Sequence, residues 1–218
     1  MSARDEILGR VRAGLGKCDT AARRARAEAL LAAPVRGPQP LIAEKELVER
    51  FAARAESLAS SVGRCGKAAE VPAVVAAWLA ENGLPATAVV TADVAGPGWA
   101  AAGIATMVRP ARDADAVGVT GCFCAIAETG TLMLLSAHAT PATVSLLPET
   151  HVAVVPAARI VATMEDAFAL LRAERPGTLP RAVNFVSGPS RTGDIEQTIV
   201  LGAHGPCRVH IVIVGEPA

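Results

Sequence analysis

Apolar positions along the chain follow two different rhythms. Near the amino end, Ile7, Leu8, Val11 and Leu15 recur at helical spacing and predict an amphipathic helix over Ala3–Leu15. Ser2 stands where a cap belongs, and Asp5 and Glu6 put carboxylates in the first turn, where the helix dipole favours them. A second helix, rich in Ala and Arg, is predicted over 21–31. Residues 33–40 then carry three prolines and a glycine and break the periodicity. The expected organisation is a helical extension, 1–36, followed by an α/β domain, 37–218. Leu47, Phe51, Leu58 and Val62 predict a long helix over 43–62. Another is predicted over 71–81, with Pro72 near its first turn and Asn82 and Gly83 as its stop.

From residue 87 onward the rhythm changes to short apolar runs, at 87–91, 104–108, 117–120, 123–127, 131–136, 143–147, 152–155, 182–186 and 209–214. Most are continuous rather than alternating, as in strands covered on both faces. Helices predicted over 163–171 and 195–201 interleave with them. Strands mixed with crossover helices give the expected fold class, α/β with a mostly parallel sheet. The crowding of strands between Val117 and Val155 predicts hairpins as well.

Composition narrows the function classes. Hydrophobic residues form 51% of the 218-residue chain, enough for a sizeable core and incompatible with disorder throughout. The 21 basic residues balance the 21 acidic ones, and aromatics are only 3%, so neither the charge nor the stacking platforms of a nucleic-acid binder are present. The stretch 129–148 lacks Asp, Glu, Lys and Arg but holds Ser136, His138, Thr140, Pro141, Thr143, Ser145 and Pro148, too polar for a bilayer helix. No secretory signal is visible. The five cysteines are odd in number and scattered, which excludes a disulfide framework and fits a reducing, cytoplasmic setting.

Candidate chemistry sits in four places. Residues 184–197 read as a strand, a loop with Ser187, Gly188, Ser190, Arg191, Thr192 and Gly193, and a helix start. Glycines permit close ligand approach, a helix start offers unpaired N–H groups, and Ser190, Arg191 and Thr192 add donors for an anion. Asp194 and Gln197 form an N-cap pair. An ordinary βα turn with a good cap is the competing reading. Glu128, followed by Thr129 and Gly130 between two apolar strands, is the candidate catalytic carboxylate or ligand anchor; a solvated turn residue is the alternative. His204, before Gly205 and Pro206, is assigned first to a helix C-terminus. Cys122 and Cys124 are read as buried small apolar residues, because zinc and iron–sulfur sites want other spacings and more ligands. His138 and His151 lack ligand-like spacing, and no bound metal is expected.

The run SGPSRTGDIEQTIVLGAHGP at 187–206 closely resembles the signature of the lactate-utilisation protein C family, the LutC or LUD-domain proteins. GVT at 118–120 and AIAETGT at 125–131 resemble that family's second block, and ARDEILGR at 3–10 is similar to its amino-terminal helix. The resemblance implies a NagB/RpiA/CoA-transferase-like, three-layer α/β/α fold. It implies a role in oxidising L-lactate to pyruvate beside iron–sulfur partner proteins, with the clusters on those partners and no cofactor on this chain. Ligand-binding residues expected within the matching blocks are Thr129, Gly130, Ser187, Gly188, Ser190, Arg191, Thr192, Asp194, Glu196, Gln197 and His204. The ligand would be a small carboxylate or another anion, and a homodimer is plausible by analogy. Glu128 only partly matches the glutamate loop of CoA transferases, since Thr129 stands where Asn is expected. Two functions follow: a non-redox subunit that binds a small anion or organises the iron–sulfur partners, and a free-standing enzyme acting on an anionic metabolite.

Overall fold

A computed structural model describes residues 2–15, 19–33, 35–193 and 200–215. The chain divides into two compact units, Met1–Gln39 and Pro40–Ala218. In the first, α1 (Ala3–Leu15) opens on a reciprocal pair: the Ser2 hydroxyl accepts from the Asp5 N–H at 3.3 Å, and the Asp5 carboxylate accepts from the Ser2 N–H at 3.1 Å. The second helix, α2 (Thr20–Ala32), is capped by Asp19, whose side chain accepts from Ala21 and Ala22. Both cover the helices expected there.

The second unit is built on a six-stranded sheet in which every pairing is parallel. Its strands are β1 (Ser61–Cys65), β2 (Thr87–Val90), β3 (Ala105–Val108), β4 (Val117–Gly121), β7 (Thr150–Pro156) and β12 (Arg208–Val214), in the order β1-β12-β7-β4-β2-β3. The continuous apolar runs are strands covered on both faces. On one face α4 (Val71–Glu81) and α5 (Gly98–Ala101) bury Val71, Val75, Leu79 and Trp99 against Val90, Val117, Val119, Val152 and Val212. On the other, α3 (Leu47–Ser57) brings Val48, Phe51, Ala52 and Ala55 onto Ala153, Val155, Val209, Ile211 and Ile213.

That second face is shared with a smaller sheet. Its strands are β5 (Cys124–Ile126), β6 (Thr131–Leu135), β8 (Ile160–Val161) and β9 (Val183–Val186), in the order β8-β5-β6-β9. The β5–β6 pairing is the expected hairpin, and β9 lies antiparallel to β6 with Val186 opposite Leu132. Helix α7 (Met164–Glu174) packs Ala167 and Leu171 on Cys124, Ile126 and Met133. Its start is a capping box in which Thr163 and Asp166 exchange hydrogen bonds. Full burial of a side chain such as Phe51, Ile126 or Leu132 contributes roughly 1.5–3 kcal/mol.

Three expected elements are corrected. The helix over 43–62 is a 3-10 turn at Glu44–Glu46 followed by α3, which ends at Ser57; Ala59 turns the chain at φ 66°, and Val62 lies in β1. Phe51 and Val62 both face the core, but from different elements. The run 143–147 is not a strand: Thr143–Leu146 form the helical turn α6, with the Ser145 hydroxyl donating to the Ala142 carbonyl. Its backbone rests on Gly118 of β4, where an added Cβ would overlap the Val144 carbonyl oxygen. The helix over 195–201 does not extend to Val200 and Leu201. These form β11 (Val200–Leu201), antiparallel to β10 (Arg191–Thr192). The rest of that expected helix lies outside the described residues.

Candidate functional site

In a parallel sheet the helix and loop connections leave a crevice at the carboxyl ends of the strands. Here that edge is formed by Thr91 after β2, Gly121 at the end of β4, Pro156 at the end of β7 and Val214 at the end of β12. Two cavities open there. The smaller, about 150 Å3, lies between the edge and the small sheet, with Thr91, Asp93, Thr120, Ser136, Arg175 and Asn184 among its lining residues. The larger, about 550 Å3, lies toward α4 and α5 and is lined mainly by apolar groups, among them Val71, Pro72, Trp99, Val154 and Val214. Asp93, Gly121 and Cys122 line both.

Polar groups of the smaller cavity are held by defined contacts. The Thr120 hydroxyl lies 2.8 Å from His151 Nε2. His151 is fully buried, its Nδ1 has no hydrogen-bond partner, and burial lowers its pKa to about 4, so the ring is neutral near pH 7. The Ser136 Oγ accepts from the Ala182 N–H at 2.8 Å. The Thr140 hydroxyl donates to the Leu135 carbonyl at 2.9 Å, and Thr91 donates to Val119 at 3.5 Å. Asn184, in the otherwise apolar strand β9, has a buried Nδ2 without a partner. A buried amide in that state is unfavourable unless an acceptor reaches it.

Cys122, which lines the cavity, and the buried Cys124 are poor nucleophiles. Burial pushes the Cys122 thiol far above its ordinary range and the Cys124 thiol up to about 11. Cys122 Sγ donates to the Cys124 carbonyl at 2.8 Å. Among the described residues, no group of three or more His, Cys, Asp or Glu side chains is arranged to hold a metal ion.

The residues singled out from the sequence gather elsewhere. The β5–β6 tip and the loop after β9 meet at the last turn of α3. Thr129 Oγ1 donates to Thr131 Oγ1 at 2.7 Å, and Thr131 Oγ1 lies 2.7 Å from Ser187 Oγ. Gly130, at φ 67°, sits on Arg54 and Ala55; Gly188, at φ 82°, sits on the Leu58 carbonyl. Arg191 donates to that same carbonyl at 3.4 Å, a cation at a helix C-terminus. Half-buried Glu128 donates its backbone N–H to Ala162. Ser190 pairs through its backbone with Pro206 and Gly202, and Thr192 is buried in β10. His204 is exposed on a bend before Gly205, not at the end of a helix. Asp194, Glu196 and Gln197 lie outside the described residues.

Two ends of one strand therefore serve different places. Asn184 lies at the cavity and Ser187 at the α3 contact, about 10 Å further along at roughly 3.3 Å per residue. The expected anion loop follows a strand of the small sheet, and its described part packs on α3. Asp93 and Arg175 were not singled out; Thr120 entered only within a family block, Ser136 only as a polar residue of 129–148, and His151 was set aside for its spacing. The signal for Asp93 was its place just past a run of parallel-sheet character; for Asn184 it was an amide inside an apolar strand.

A six-stranded parallel sheet with helices on its faces and a polar cavity at its carboxyl edge defines an α/β domain. Residues 48–214 match the LUD domain family model, and the chain belongs to that family. It is similar to Lactate utilization protein C of Shouchella clausii, 38% identical over 50% of this chain and 48% of that protein. To Lactate utilization protein C of Bacillus subtilis it is 36% identical, over 50% and 46%. The chain spans about half the length of these curated relatives. Its fold is similar to the crystal structure of a DUF162 family protein from Deinococcus radiodurans, with a TM-score of 0.60 and 24% identity, over 80% of this chain and all of that one. Among the described residues no helix is long and apolar enough to cross a membrane.

Proposed function

We propose that this chain is a non-redox component of a lactate-utilisation system, binding a small organic anion beside iron–sulfur partner proteins that oxidise L-lactate to pyruvate. One observation carries the reading: a LUD domain similar to proteins named Lactate utilization protein C has a polar cavity at its sheet edge with a buried, unpartnered Asn184 amide. Asn184, Ser136 and Arg175 supply donors for a carboxylate. Thr120, held by neutral His151, supplies a hydroxyl. The electron-transfer step belongs, in this reading, to cytoplasmic partners.

The test is genetic and biochemical together. Deleting the gene should abolish growth on L-lactate and leave growth on pyruvate intact. The full chain, tagged and recovered from lactate-grown cells, should bring down iron–sulfur proteins. Normal lactate growth after deletion, with no such partner recovered, refutes the proposal.

A second reading, a free-standing enzyme acting on an anionic metabolite, draws on the Thr120–His151 pair. It is favoured if the purified chain alone turns over an organic acid or its ester, and if Thr120→Val abolishes that turnover.

A further inference from the structure

The larger cavity, about 550 Å3, is of the size that takes a small organic molecule. Its walls are hydrocarbon. Val94, Pro97, Val154, Pro156 and Val214 line it, and each is half-buried or exposed, so their surfaces are open to a ligand. Asp93 is the one lining residue that carries a charge, and it too is exposed. Among the described residues no donor or cation is paired with its carboxylate.

Strand order sets the layout of these groups. Asp93 follows β2, Gly121 ends β4, Val154 and Pro156 lie in β7, and Val214 ends β12, and these four strands are neighbours in the sheet. At about 4.8 Å per strand, the three spacings from β2 to β12 put Asp93 roughly 14 Å from Val214 along the row. Gly121 makes room for the carboxylate, because a Cβ there would overlap an Asp93 oxygen. The cavity thus has a negative end at β2 and a hydrocarbon end at β7 and β12. An anion is repelled at the first, and a wholly polar ligand is unmatched at the second.

We propose that the larger cavity binds a small amphiphilic cation, a primary alkylamine in its ammonium form. The ammonium donates to Asp93, and the chain lies across Gly121 along Val154, Pro156 and Val214. The smaller cavity takes no part. This site is independent of the lactate-utilisation reading, which the growth experiment tests separately.

Calorimetric titration of the full chain at neutral pH and low salt decides it, with butylamine, hexylamine and hexanol as probes. Affinity should rise about fourfold for each methylene that is buried, so hexylamine should bind well ahead of butylamine. Hexylamine should also bind about tenfold more tightly than hexanol, the worth of a hydrogen bond to a charged group. Asp93→Asn should abolish that preference and leave both hexanol affinity and the melting temperature unchanged. Val154→Thr, which puts a hydroxyl on the hydrocarbon wall, should weaken hexylamine and hexanol alike, about threefold, and keep the preference. Hexanol binding as tightly as hexylamine, a preference that survives Asp93→Asn, equal affinity for the two amines, or no binding by any probe overturns the proposal.

Discussion

The hydroxyls of Thr131 and Ser187 lie 2.7 Å apart across 56 residues of sequence. They join the β5–β6 tip to the loop after β9, the two blocks that carry the family resemblance. Thr131 is buried, so its hydroxyl must find partners within the fold. Thr131→Val should destabilise the chain by about 1–2 kcal/mol and Ser187→Ala by about 1 kcal/mol. The double variant should lose less than the sum, because both changes remove one contact. Urea unfolding of the four proteins checks this.

Gly130 and Gly188 have left-handed backbone angles and sit against α3 with no room for a methyl group. Gly177 has a similar angle, φ 72°, in open space. Gly177→Ala should therefore cost only backbone strain, about 1 kcal/mol. Gly130→Ala and Gly188→Ala should each cost about 2–4 kcal/mol, with overpacking added to strain. Thermal melts of the three variants should separate them into one mild and two severe.

His151 and His210 should make stability fall with acid. His210 is buried, stacks on Trp78 at 4.3 Å and has Ser61 within 2.8 Å of its Nδ1. Burial lowers both pKa values to about 4 from 6.5. Between those values the unfolded chain binds protons that the folded chain does not. The stabilisation is complete above pH 6.5 and declines as pH falls toward 4, by about 2–3 kcal/mol for each ring. Denaturant unfolding from pH 8 to pH 4.5 measures the slope. Ring proton resonances of both histidines should stay constant down to pH 5.5; titration near pH 6.5 would contradict their burial.

Arg159 pairs with Glu174, donates to the Phe123 carbonyl at 2.8 Å and lies 4.8 Å over the Phe123 ring centroid. Lys lacks the planar fork that makes these contacts together. Arg159→Lys should destabilise by about 1–2 kcal/mol. Because Phe123 lines the smaller cavity, the variant should also weaken binding of the small organic anion proposed above; unchanged stability and binding would show the clamp to be idle.

Cys124 should resist a thiol reagent at pH 8 in the folded chain and react fully in guanidinium, since burial both shields it and raises its pKa. Rapid reaction of the native Cys124 thiol would contradict that environment.

Strands of the parallel sheet were legible because burial on both faces leaves continuous apolar runs, as at 152–155 in β7 and 211–214 in β12. Elements with weaker signals were not. Ser61–Cys65 holds Gly63 and Arg64 and is extended because β12 pairs with it, a contact about 150 residues away. Thr143–Leu146 is too short to show a period, and its helical turn is selected by the room above Gly118. The family blocks were found, but their glycines proved to admit α3. The cavity was harder to see. Its residues come from the ends of β2, β4 and β6, from β9 and from the turn at Thr140, and only the topology brings Asp93, Thr120, Ser136 and Asn184 together.

The sheet order gives strand β12, next to the edge strand β1, a further consequence. β12 joins β1 to β7, and among the described residues β1 has no other strand beside it. Yet β12 is the last strand of the sheet to leave the ribosome. Until Arg208–Val214 emerge, β1 and α3 have no sheet to complete, and the wall that Val214 contributes to the larger cavity is missing. The edges of β1 and β7 and the apolar face of α3 must therefore wait uncovered, exposed to chaperones and to other chains.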